Sequence, residues 1–215
     1  MTPGRDPAPV VAIDGPSGSG KSTVARRVAE ALGVRHLDTG AMYRAVTWAA
    51  LRDGVDPGDG PELGRLAAGL RLQVDDRVVV DGVDVTDAIR AADVTATVSA
   101  VSAHPQVREV MVERQRQWVG QGAGAVVEGR DIASVVLPQA DAKAFLTASE
   151  EERARRRAAQ TGAPAVAQVA ADLARRDGLD SARAVSPLVV APGAVVIDTT
   201  GRSIDEVVAE VLELL

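Results

Sequence analysis

Gly15-Pro16-Ser17-Gly18-Ser19-Gly20-Lys21-Ser22 has the pattern G-x-x-x-x-G-K-S, and the stretches on either side define its setting. Val10-Val11-Ala12-Ile13 before it is apolar and rich in β-branched residues, so it reads as a buried strand. Thr23 to Leu32 after it contains no glycine or proline and reads as a helix. A strand, a glycine loop and a helix in that order make a phosphate cradle. The glycines let successive backbone N–H groups turn toward one anion, and the helix N-terminus adds unpaired donors and partial positive charge. Gly15, Pro16, Ser17, Gly18, Ser19, Gly20, Lys21, Ser22 and Thr23 are therefore expected to wrap the phosphates of ATP. Lys21 would reach the β- and γ-phosphates, and Ser22 would face Mg²⁺ directly or through a water. Of 24 basic residues only Lys21 and Lys143 are lysines, so composition alone does not put a lysine at this position.

Downstream, apolar runs alternate with helical ones. Val34–Leu37 ends at Asp38-Thr39-Gly40 and leads into a helix over Ala41–Arg52. Ala125–Val127 ends at Glu128-Gly129-Arg130-Asp131, and Ala142–Leu146 and Ala194–Ile197 follow as further strands. Ile204 to Leu214 closes the chain as an amphipathic helix. This alternation predicts an α/β fold of the phosphate-loop type: a parallel five-stranded sheet with helices on both faces. Ligands of such sheets sit beyond the carboxyl ends of the strands. Four polar clusters are expected there: the glycine loop, Asp38-Thr39-Gly40, Glu128 to Asp131, and the segment just before Ala194.

One stretch breaks the alternation. Leu70, Leu72 and Val74 occupy alternate positions, Asp75-Asp76 follows, then Arg77-Val78-Val79-Val80, Asp81-Gly82 and Val83-Asp84-Val85. A period of two with turn residues predicts a small antiparallel meander ahead of the helical run Ala91–Ala103. The expected organisation is a tail over residues 1–9 and one domain over 10–215. That domain has a core (about 10–60, 104–148 and 184–215), an insert (about 61–103) and a lid region (about 149–183).

Composition narrows the class. The chain has 215 residues, a net charge of −6, no cysteine and 2% aromatic residues. The acidic balance argues against a dedicated nucleic-acid binder, and the missing cysteines exclude disulfides and thiolate metal sites. Met1 to Pro9 holds three prolines and no apolar segment, so it reads as a disordered tail and not a signal peptide. No run of 18 apolar residues is present, and the expected compartment is the cytoplasm.

A phosphate loop by itself specifies only a nucleotide, so the acceptor must be read elsewhere. Arginine suits phosphate because its fork binds two oxygens at once. Arg44 follows Asp38-Thr39-Gly40 by about a helical turn, Arg130 follows a strand directly, and Arg176 and Arg183 flank Asp177 and Asp180. A second phosphate site implies a phosphorylated acceptor. Glu128 ends an apolar strand, where it either orients Mg²⁺ or pairs with a nearby arginine. Ser149-Glu150-Glu151-Glu152 is a capping box opening a helix on which Arg153 and Arg157 share a face. That helix is either a solvated charged surface or a lid bringing arginines to the transferring phosphoryl group. His36 and His104 lack metal-ligand spacing and read as structural, and Trp48 and Trp118 read as core. An alcohol acceptor needs a general base. A nucleoside monophosphate is already largely dianionic, its second pKa being about 6. It needs only positioning and charge neutralisation, which fits the arginine inventory.

From Val10 to about Leu212 the chain resembles the bacterial cytidylate kinases. The resemblance rests on Ile13 to Ser22, on Leu37-Asp38-Thr39-Gly40-Ala41-Met42-Tyr43-Arg44, on Pro105-Gln106-Val107-Arg108-Glu109, on Glu128-Gly129-Arg130-Asp131-Ile132 and on Arg176 to Arg183. The antiparallel insert is also similar to that family's extra monophosphate-side domain. The resemblance implies Mg²⁺-dependent transfer from ATP to CMP or dCMP without a general base. It implies that Thr39, Arg44 and Arg130 hold the CMP phosphate and that Ser99, Arg108 and Asp131 read the cytosine edge. Asp180 would contact the ribose, with Arg176 and Arg183 beside the sugar and phosphates. Lys21, Arg130, Arg153 and Arg157 would act on the transferring group, and the protein would be a monomer. A carboxylate such as Asp131 can accept the cytosine amino group and would repel the uracil carbonyl. The chain departs from the family pattern at Ala133, Ser134 and Gln139, and Ala133 restricts a backbone position where glycine is usual. Alternatives from the residues alone are a shikimate-kinase-like enzyme with an alcohol acceptor, a phosphate-loop switch and a nucleic-acid-dependent ATPase. The switch is disfavoured because guanine reading usually needs Asn-Lys-x-Asp and the chain has no asparagine.

Overall fold

The computed structural model describes residues 8–161, 165–181, 185–186 and 188–215. The chain divides into two compact units, Met1–His36 with Gln121–Leu215, and Leu37–Gly120. In chain order the elements are β1 (Val10–Asp14), α1 (Lys21–Leu32), β2 (Arg35–Asp38), α2 (Thr39–Asp53) and α3 (Gly60–Gly69). Then come β3 (Leu72–Val74), β4 (Val78–Val80), β5 (Val83–Asp84), α4 (Ala92–Val101) and α5 (Pro105–Gly120). The remainder is β6 (Ala125–Gly129), β7 (Ala142–Thr147), α6 (Glu150–Thr161), α7 (Val166–Ser181), β8 (Val195–Asp198) and α8 (Ile204–Leu212).

Five strands form the expected sheet in the order β2-β6-β1-β7-β8. β1 pairs in parallel with β6 on one side and β7 on the other, so consecutive connections leave it in opposite directions. The loop after β1 thus emerges at the point where the strand order reverses, the ligand-binding position of open α/β sheets. Val11, Ile13, Val126, Ala144 and Leu146 are fully buried. Val24, Ala25, Val28 and Ala29 of α1 and Val207, Val208 and Val211 of α8 join them in one cluster. The apolar residues of α1 fall at helical spacing, so one face packs while Arg26, Arg27 and Glu30 remain in solvent. Ser203 caps α8 and Glu206 bonds back to it, a complete capping box.

In the second unit the predicted meander is present as β3-β4-β5, antiparallel throughout. Val80 pairs with Val83 across Asp81-Gly82, whose φ angles are 52° and 86°. Two positive φ values make the mirror-image turn that matches strand twist, and Asp-Gly is a favoured pair for it. Buried Leu63, Val80, Ile89, Val94, Val101, Val107 and Met111 supply this unit's core. The polar stretch around Arg176 to Ser181 had no assigned shape from sequence and is the end of α7. No described helix is long and apolar enough to cross a membrane.

Candidate active site

The glycine loop is built as its pattern demands. Gly15 has φ +152°, and a Cβ there would run into the Leu146 carbonyl at the end of β7. The packing of β1 against β7 therefore requires glycine at this position. Gly20, also in the left-handed region, is the N-cap of α1 and makes no side-chain capping bond, so the leading N–H groups of α1 face the loop. Lys21 Nζ donates to Pro16 O at 3.3 Å.

Below the loop, Ser22 Oγ donates to Glu128 Oε2 at 2.7 Å, and His36 Nε2 lies 3.2 Å from Glu128 Oε1. Burial alone would raise the Glu128 carboxyl, but His36, Lys21 and Ser22 outweigh it and hold the group below its ordinary value. Glu128 is thus an ionised carboxylate beside the loop's serine. Its described hydrogen-bond partners are Ser22 and His36. His36, expected to be structural, orients this carboxylate.

The arginines gather around Ser17. Arg130 Nη2 donates to Ser17 Oγ at 2.7 Å, and Arg130 Nε donates to Asp180 Oδ2 at 2.9 Å. Arg153, nearly buried, donates to Ser17 O at 3.2 Å and forms an ion pair with Asp177. Burial first, then the charge of Arg130, pushes the Arg176 pKa down; Arg157 adds to this, against Asp180 and Asp177. Arg130 and Arg157 therefore add to the cost of charge on Arg176, a field that an anion would relieve. Arg157 itself donates to Gln160 Oε1 at 2.8 Å. Arg183 lies outside the described residues.

Arg156, absent from the expected set, reaches the loop: it donates to Thr199 Oγ1 at 2.8 Å, to Thr199 O at 2.7 Å and to Ser19 O at 3.5 Å. Thr199 Oγ1 also donates toward Ser19 O and Thr147 O, at 3.1 and 3.0 Å. The polar cluster expected just before Ala194 is thus Asp198-Thr199-Thr200, on the other end of β8, because all five strands run the same way. Asp-Thr-Thr directly after an apolar run was the signal that could have found it. The capping box of α6 is half formed. Ser149 Oγ accepts from Glu152 N at 3.2 Å, while the Glu152 carboxylate turns to Arg155 and Arg156.

Asp131 ends the segment after β6 and is buried, and Ala133 lies in a short helical turn, Ile132–Val136. Among described residues the non-glycine positive φ angles belong to Asp81 and Ser186 alone, so Ala133 occupies ordinary backbone and needs no glycine. Asp14 Oδ1 and Oδ2 accept from Ile132 N and Ala133 N, each at 2.8 Å. Burial raises the Asp14 pKa to about 6 against those two bonds.

The second unit holds the other expected acceptor residues. Asp38 caps α2 by accepting from Ala41 N at 3.1 Å, which places buried Thr39 in the first turn of that helix. Arg44 Nη1 donates to Thr95 Oγ1 at 2.9 Å and Ile89 O at 3.1 Å. Ser99 lies one turn beyond Thr95 on α4. Arg108, buried, donates to Ser102 O at 3.3 Å with its guanidinium 5.4 Å from the Tyr43 ring centre. Arg44 of α2 thus faces α4 at Thr95, one turn from Ser99, and Arg108 of α5 faces Tyr43 of α2.

A five-stranded parallel sheet, a glycine loop at its switch point, a buried carboxylate bonded to the loop's serine and an adjoining arginine cluster define a phosphotransferase of the phosphate-loop class. The sequence model of the cytidylate kinase family matches residues 11–215. A cytidylate kinase from Mycolicibacterium paratuberculosis is 51% identical over 96% of this chain and 94% of its own length. One from Shouchella clausii is 50% identical over 95% of each. A bifunctional pantoate ligase/cytidylate kinase of a Synechococcus strain is 49% identical, the match spanning 96% of this chain and 42% of that protein. This chain belongs to the cytidylate kinase family. Solved structures of a gluconokinase from Sinorhizobium meliloti (TM-score 0.52, 16% identity, 98% of this chain and 93% of that one) and of a shikimate kinase from Acinetobacter baumannii (TM-score 0.50, 17% identity, 96% and 92%) share the fold.

Proposed function

We infer that this chain transfers the γ-phosphoryl group of ATP to CMP or dCMP, giving ADP and CDP or dCDP, by in-line displacement without a general base. The observation that carries the reading is the Arg130–Ser17 hydrogen bond of 2.7 Å. It ties an arginine with mutual repulsion toward Arg176 to the rim of the ATP loop, so a second anion site adjoins the first. Gly15 to Thr23 wrap the donor phosphates and Lys21 neutralises charge on the β- and γ-oxygens. Arg130 turns from Asp180 to the acceptor phosphate, with Arg153 and Arg157 on the transferring group and Arg176 and Arg183 beside the sugar and phosphates. Asp180 contacts the ribose, Thr39 and Arg44 take the acceptor phosphate, and Ser99, Arg108 and Asp131 read the base. Mg²⁺ fits the donor set. It retains several waters and needs one or two protein oxygens plus phosphates, which the Ser22–Glu128 pair offers. Among described residues no cluster of three acidic or histidine side chains could hold an ion without the nucleotide. When bound, Mg²⁺ supplies charge neutralisation across the donor phosphates.

The protein acts as a monomer in the cytoplasm on small-molecule substrates and needs no nucleic acid. Residues 61–103 serve as the monophosphate-side insert and 149–183 as the lid on a core of 10–60, 104–148 and 184–215. A coupled ADP-release assay with Mg²⁺-ATP and CMP, dCMP, UMP, AMP, GMP or shikimate tests the reading. Turnover with CMP and dCMP far above UMP is expected. Turnover with shikimate and none with any monophosphate overturns it.

A further inference from the structure

Asp14 ends β1, is buried, and takes no part in the transfer as derived above. Its two carboxylate oxygens each accept one bond, from the N–H groups of Ile132 and Ala133. These are the first two N–H groups of the helical turn Ile132–Val136. A helical turn leaves its leading N–H groups without partners inside the turn, and the N-cap side chain ordinarily accepts from them. The N-cap here is Asp131, a good capping residue by type, yet it makes no capping bond. The cap comes instead from a strand 118 residues earlier in the chain. Asp14 is also paired in register with Gly129 of β6. Arg130 and Asp131 are therefore the only two residues between a strand pairing and a capped turn, both anchored on Asp14. The charged groups that act on Asp14 are these same two residues.

We propose that Asp14 is a positioning residue for the acceptor: by capping the 132–136 turn from β1, it sets the backbone of Arg130-Asp131 against the glycine loop. The proposal rests on the acceptor roles inferred above for Arg130 and Asp131. It gives a physical reason for an aspartate immediately before the glycine loop, where the loop's own chemistry asks for none.

The test uses the full chain carrying Asp14→Asn, which keeps one acceptor oxygen and turns an amide NH₂ toward the second N–H. The KM for CMP is expected to rise about tenfold, the cost of one buried donor left unpaired. The KM for ATP should stay within about twofold and the preference for CMP over UMP should narrow. A purely structural residue would lower the melting temperature and leave the ratio of the two KM values unchanged; that result, or a parallel rise in both, overturns the proposal. Arg130→Ala is measured alongside. If it leaves the KM for CMP unchanged, the acceptor reading itself fails and the proposal with it. If it raises that KM while Asp14→Asn does not, the proposal alone fails. Should Asp14→Asn not fold, amide hydrogen exchange in Asp131→Asn decides. The Ile132 and Ala133 amides stay protected if Asp14 caps them, and their exposure refutes the assignment.

Discussion

The buried Asp14 carboxyl makes stability depend on pH in a direction opposite to that of most carboxylates. Burial raises its pKa from 3.8 to about 6; Ala133 N–H, Ile132 N–H and Arg130 pull the other way, and Asp131 adds to the rise. The folded chain therefore holds this proton to higher pH than the unfolded chain does. The stability it contributes is complete below about pH 4 and is lost as pH rises through about 6. A shift of about two units at about 1.4 kcal/mol each amounts to roughly 3 kcal/mol. Urea unfolding of the wild type and of Asp14→Asn, which cannot titrate, measures it between pH 4 and 7.5. The advantage of the wild type over the variant should be about 3 kcal/mol smaller at pH 7 than at pH 4, with the change centred between the two pKa values. A constant offset from the altered hydrogen bond does not matter, because the pH-dependent part is what is read. A flat difference would show that burial does not dominate. A difference growing with pH would show that the two N–H groups outweigh it. Either refutes the reasoning.

Glu128→Gln removes the charge that accepts the Ser22 proton, so kcat in the ADP-release assay should fall about a hundredfold with the fold intact by circular dichroism. Unchanged kcat would remove Glu128 from the site. Gly15→Ala places a Cβ on the Leu146 carbonyl at a φ that side chains rarely adopt. It should cost about 3 kcal/mol or more in urea and abolish ATP binding measured by calorimetry. Gln115 on α5 is buried, and neither of its amide atoms has a partner among the described residues. Gln115→Met should therefore raise stability by about 1–2 kcal/mol, and a lower urea midpoint would contradict this.

Much of the fold was legible because its signals are local. The β1–loop–α1 unit follows from a β-branched run, three glycines and a run free of helix breakers. The meander follows from alternation and from Asp81-Gly82. The end of α7 was not legible, since Arg176 to Ser181 is polar, contains Gly178 and shows no apolar period. The same limit applies to the arginines of α6. Arg153, Arg155, Arg156 and Arg157 are one residue type on one helix, and their spacing puts Arg153 and Arg157 on one face without saying which partners any of them reaches. Their partners separate them. Arg153 reaches Ser17 and Asp177, Arg156 reaches Ser19 and Thr199, Arg155 stays in solvent with Glu152, and Arg157 bonds Gln160 and adds to the field on Arg176.

By itself the sequence determined the class of chemistry. A phosphate loop is contiguous, its backbone conformation depends on its own glycines, and its lysine and serine are one and two residues from the last of them. The order of motifs and the identity shared along the whole chain carry the family. Tertiary structure alone decided which charges meet. Glu128 with Ser22 and His36, Arg130 with Ser17 and Asp180, and Asp14 with the Ile132 and Ala133 amides are joined across 50 to 119 residues. Such pairs leave no periodicity in the chain, because they arise where separate strands end side by side. Burial then raises the Asp14 pKa and lowers that of Arg176, while at Glu128 His36, Lys21 and Ser22 overcome burial; all of these are properties of the packed structure.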